Sequence, residues 1–129
     1  MAMSPRGADA YRRTAVQSSS PLGLVVMLYD GAIKYMLEAR EAIARNDVLA
    51  RTTAVSRALA IIAELQNTLN VKEGGEVARE LDRLYSYMST RLLDVTAKAD
   101  DNAAKEVHKL LSTLREGWSQ IASQTPAQP

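Results

Sequence analysis

Proline interrupts helices more effectively than any other residue, and this chain confines it to Pro5, Pro21, Pro126 and Pro129. Everything from Leu22 to Thr125 is free of it, and the same stretch lacks the β-branched alternation of strands. Long helices are what this leaves. Stop and cap signals punctuate them: Asn46-Asp47, the run Asn70-Val71-Lys72-Glu73-Gly74-Gly75 with its paired glycines, and Asp100-Asp101-Asn102. They predict helices over 21–45, 47–69 and 76–99, and a fourth from the cap at 100–102 to about 123. Four amphipathic helices on short links pack as an all-α, antiparallel up-down four-helix bundle. Residues 1–19 are largely polar and rich in small side chains, with Tyr11 their one aromatic, and read as a flexible segment with one anchor. Residues 20–123 form the bundle, and 124–129 a disordered tail.

The first helix stands apart from the others. Ser20 can cap it, and Pro21 sits at the first helical position, where a missing N–H costs nothing. On a helical wheel one arc holds Leu22, Val25, Val26, Tyr29, Ala32, Ile33, Met36 and Leu37. An adjoining arc holds Leu24, Leu28, Tyr35 and Ala39. Together they cover roughly 200°, twice the stripe of about 100° that one core contact needs. Asp30 reads as a solvated charge, and Gly31 as a point of close helix approach. Such a helix lies at the centre of its bundle or keeps apolar surface for another chain.

The remaining helices carry single stripes. The second has Val48, Ala54, Val55, Ala58, Ile61, Ile62, Leu65 and Leu69, with Arg51 intruding and reaching for water along its long stem. In the third the stripe is Val77, Leu81, Leu84, Tyr85, Met88, Leu92 and Val95, while Tyr87 and Leu93 fall off it. The fourth aligns Val107, Leu110, Leu111, Leu114, Trp118 and Ile121. Hydrophobic residues make up 47% of the chain but aromatics only 5%, with no Phe, so aliphatic side chains and alanine must fill the interior.

Chemistry finds little purchase. The absence of cysteine removes disulfides, thiolate catalysis and Cys-ligated zinc together. One histidine, His108, without a Glu-x-x-His pair does not assemble a bundle metal site, and adjacent Asp100-Asp101 read as caps; no cofactor is expected. His108 also raises the alternative of a histidine phosphotransfer bundle, with Lys105 and Lys109 near enough to attract phosphate. The His-x-x-Lys-Gly pattern of those domains is missing, since Lys109-Leu110-Leu111-Ser112 follows. Nucleophile-elbow, phosphate-loop and dinucleotide patterns are likewise missing, so no enzyme is expected. A net charge of +1 with scattered arginines provides no field for nucleic acid. The longest apolar run, Leu22 to Tyr29, is far short of the roughly 20 residues that span a bilayer, so no membrane insertion is expected and the cytoplasm is the default.

Several blocks together resemble a known family. Ser19-Ser20-Pro21-Leu22 followed by Met27-Leu28-Tyr29-Asp30-Gly31-Ala32-Ile33 is similar to the opening of the FliS flagellar secretion chaperones. So are Leu84-Tyr85-Ser86-Tyr87-Met88, Glu106-Val107-His108-Lys109-Leu110-Leu111 and Leu114-Arg115-Glu116-Gly117-Trp118, with Tyr11 ten positions before Pro21. The resemblance implies a bundle with its short N-terminal segment packed against it, acting in the cytoplasm as a monomer or weak dimer. It also implies binding to the C-terminal region of flagellin, which blocks premature polymerisation and keeps flagellin competent for flagellar type III export. The flagellar export gate and, in some members, an anti-sigma factor are further partners it implies. Tyr11, Leu22, Leu24, Leu28, Tyr29 and Tyr35 are the expected partner-binding surface, with Tyr11 displaced from the groove by flagellin. For Tyr29 a second role stands open, in the core with its hydroxyl at a helix seam.

Overall fold

The structure, a computed structural model, describes residues 20–124. Within them it contains four helices and no strand: α1 Pro21–Ala44, α2 Val48–Asn67, α3 Val71–Lys98 and α4 Asp101–Gln124. The caps act where they were expected. Ser20 Oγ accepts the Gly23 N–H at 2.9 Å ahead of Pro21. Asn46 turns the chain at φ 58°, and the Asp47 carboxylate takes the Ala50 N–H at 3.0 Å to start α2. Between α3 and α4, Ala99 is left-handed at φ 51° and the Asp100 carboxylate accepts the Ala103 N–H at 3.1 Å.

The link at 70–75 departs from expectation. Asn70 Oδ1 accepts the Glu73 N–H at 3.2 Å and the Asn70 carbonyl takes the Gly74 N–H at 2.7 Å. Helix therefore resumes at Val71 rather than at Glu76. The glycine break falls inside it, at Gly75, with φ 56° and ψ −131°. Asparagine is a strong N-cap, and one turn of helix fits before the kink that only glycine adopts at ease.

Helix α1 packs against α2 and α4, and α3 packs against the same two, so α1 and α3 face each other across a diagonal. Neighbours run antiparallel. The core is aliphatic and small: Ala32, Ala39, Ala42, Ala54, Ala58, Ala103 and Ala104 are all buried, around Met36, Val55, Ile62, Leu65, Met88, Leu92, Val95, Val107 and Leu111. Small side chains let helices draw together, as at Gly31, where a Cβ would stand 3.1 Å from Ile61 Cδ1 of α2. Each fully buried Leu, Ile or Met stabilises by about 1.5–3 kcal/mol, and among the described residues no polar or charged residue is buried as a whole.

Polar side chains tie the helices together at the surface. Arg40 of α1 pairs with Asp101 of α4 at 3.0 Å, and Gln66 of α2 donates to Asp82 of α3 at 2.8 Å. Arg91 of α3 reaches Glu106 of α4 at 2.9 Å. Asp30, expected to be merely solvated, pairs with Arg115 of α4 at 2.8 Å. Arg51, half-buried near the start of α2, donates from its guanidinium to the Thr96 carbonyl at 3.0 Å, near the end of α3.

Of the positions expected to face inward, Leu37, Val48, Val77 and Ile121 are exposed. Val48 and Ile121 lie in the terminal turns of α2 and α4. On α1 the inward positions after Met36 are Ala39 and Ala42, which turns Leu37 out.

Candidate functional site: an apolar trough at one end of the bundle

One end of the bundle gathers the start of α1, the end of α2, the start of α3 and the C-terminal half of α4 around a cavity of about 530 Å³. Its α1 wall is Leu22, Leu24, Val25 and Leu28, and its α3 wall is Val77, Ala78, Leu81 and Tyr85. Leu65 of α2, Leu69 in the link that follows it and Trp118 of α4 complete the apolar lining. The trough is open at the edges: Leu24 is 45% exposed and Val77 70% exposed. Between the diagonal pair α1 and α3, the trough leaves apolar side chains that no element of the described chain covers.

The surplus apolar arc of α1 thus resolves into three fates. Leu22, Leu24 and Leu28 come together in the trough. Tyr29 does not face it: the ring is fully buried, with its hydroxyl 2.6 Å from that of Tyr85. Of its two open roles the structure places it in the core, where its hydroxyl meets Tyr85 and Trp118, both of which line the trough. Tyr35 lies two turns further along α1, half-buried, with Lys34 and Arg57 each 5.7 Å from its ring centre. Tyr11 lies outside the described residues.

Burial holds the phenols of both Tyr29 and Tyr85 protonated well above the ordinary tyrosine range. Their shared hydrogen bond pushes Tyr85 further in the same direction and partly offsets the rise at Tyr29. The pair is a neutral strut across the bundle diagonal.

The α3 wall and Trp118 are not apparent as a site from the sequence, where their residues read as inward stripe positions. The available signal is the extra turn that Val77 adds to its stripe, ahead of Leu81. Tyr87 and Leu93, expected off the stripe, are exposed, and the Tyr87 hydroxyl donates to Glu106 at 2.7 Å. His108 is half-buried on α4. No group of three or more His, Cys, Asp or Glu side chains among the described residues is placed to hold a metal. No helix of the described chain is long and apolar enough to cross a membrane.

Fold and site define an all-α bundle organised around a preformed apolar trough. Comparison with known proteins gives this class a family. The model of the family described as flagellar protein FliS matches residues 4–125. The flagellar secretion chaperone FliS of Salmonella typhimurium is 42% identical over 110 residues, covering 84% of this chain and 82% of the relative. FliSB of Pseudomonas aeruginosa is 33% identical, with coverage of 83% and 85%, and FliS of Bacillus subtilis 32%, with 86% and 82%. The chain belongs to the FliS family of flagellar secretion chaperones.

Proposed function

We propose that this chain binds the C-terminal region of flagellin in the cytoplasm, prevents its premature polymerisation and keeps it competent for flagellar type III export. The observation that carries this reading is the trough, an uncovered apolar surface formed by Leu22, Leu24 and Leu28 against Val77 and Leu81. An apolar segment that would otherwise assemble with its own kind is held by laying its greasy positions into such a surface. Ordering a disordered segment costs about 2–5 kcal/mol of the gross contact energy, so extensive contact leaves moderate affinity and easy release. In the free protein the N-terminal segment returns to the trough through Tyr11, and flagellin displaces it.

The test mixes the purified chain with full-length flagellin and with flagellin lacking its C-terminal segment. A complex with the first and none with the second is expected. Leu24→Asp and Val77→Asp alter exposed side chains on opposite walls, so they leave the fold intact and weaken the complex at least about ten-fold each, some 1.4 kcal/mol. Equal binding of both flagellins, or unchanged binding by both variants, would contradict the proposal.

A further inference from the structure

Helix α3 lends the trough one row of side chains, Glu73, Val77, Leu81 and Tyr85, each four residues after the last. The row grades from water to core: Val77 is 70% exposed, Leu81 9% and Tyr85 1%, and Glu73 is exposed at its outer end. Among all the residues that line the trough, Glu73 is the one with a charge.

The chain's own contacts do not account for an acid in that place. Among the described residues the Glu73 carboxylate forms no ion pair, whereas Glu76 and Glu80 further along the helix pair with Arg79 and Arg83. Lys72, its neighbour in sequence, is exposed and does not line the trough. A carboxylate in the first turn suits the positive end of the α3 dipole. The same edge, however, holds Thr68, which caps the negative end of α2, and the last turn of α2 has no basic residue. The two helix ends offset each other and leave the charge of the carboxylate uncovered.

We propose that Glu73 sets the specificity of the trough: among apolar segments able to fill it, the site selects one with a Lys or Arg about one helical turn from the residue packed on Val77. This rests on the reading above that the trough holds the C-terminal region of flagellin, and it names the charge that this segment must present. A helical client laid along α3 meets the row as acid, apolar, apolar, at a spacing of three or four residues. The apolar contacts supply the affinity. A pair at the rim is screened by salt and adds little to it, but it fixes register, speeds encounter and turns away a segment with an acid at that position.

Titrations of flagellin against the full chain at low salt and at about 0.5 M salt read the pair. Glu73→Gln weakens the complex about two- to five-fold at low salt, and the difference vanishes at high salt. Glu73→Lys weakens it further by repulsion, while Glu80→Gln, outside the trough lining, binds as the wild type. Changing the Lys and Arg residues of the flagellin C-terminal region to Glu one at a time finds the partner: one such flagellin binds the wild-type chain poorly and regains affinity for Glu73→Lys. Wild-type affinity in both Glu73 variants, an equal loss at both salts, or the lack of any rescued flagellin would overturn the selection, while losses in Leu24→Asp and Val77→Asp keep the trough reading. Unchanged binding by those two would instead remove the trough reading, and the selection with it.

Discussion

Tyr29 and Tyr85 show how much a single buried hydroxyl depends on its partner. Each is almost fully enclosed, and each has the other's oxygen at 2.6 Å. Tyr29→Phe strands the Tyr85 hydroxyl and costs about 1–3 kcal/mol, Tyr85→Phe costs less because Trp118 still hydrogen-bonds Tyr29, and the double variant costs less than the sum. A urea-unfolding double-mutant cycle checks it. The same pair makes a pH prediction. Both folded phenols titrate above their unfolded value of about 10, so their stabilisation is complete below that pH and is lost as pH rises through it. Phenolate absorbance should show two tyrosines that ionise only as the chain unfolds in alkali. Tyr29 was legible as a residue with two possible places. What decides between them is Tyr85, distant in sequence, and no wheel drawn on one helix contains it.

At the scale of elements, capping residues carried most of the legible information. Ser20, Asp47 and Asp100 mark helix starts in the sequence and cap them in the fold, because capping is local chemistry between a side chain and N–H groups two or three residues on. The start of α3 was misread because its cap, Asn70, was grouped with the glycines that follow. Gly75, at φ 56° and ψ −131°, occupies backbone space open to glycine alone, and it is the joint between the first turn of α3 and the rest. Gly75→Ala should destabilise by about 1–3 kcal/mol in thermal or chemical unfolding, although open space surrounds the added methyl. The loss is backbone strain, not crowding. It should also loosen the proposed flagellin complex, since Asn70, Glu73 and Gly74 form that edge of the trough.

In the molecule as a whole, the bundle could be read from helix number and link length, but the trough could not. It lies between α1 and α3 across the diagonal, lined by residues of all four helices, and such a space is a property of four helices together. Leu22, Leu24 and Leu28 were found because α1 is over-supplied with apolar residues; Val77 and Leu81 looked like ordinary core. The clamp of Tyr87, Arg91 and Glu106 was equally invisible, being a meeting of two helices. The hydrogen bonds from Tyr87 and Arg91 hold the Glu106 carboxyl below its ordinary range. Its contribution is therefore complete above the unfolded carboxyl value and is lost as pH falls through the folded one. Melts between about pH 6 and 3 should be less steep in Glu106→Gln than in the wild type. Trp118, the chain's sole tryptophan, forms part of the trough wall. The protein thus has a built-in optical gauge: whatever fills the space beside the indole strips it of water, and a blue shift in its emission would count loaded molecules without any dye.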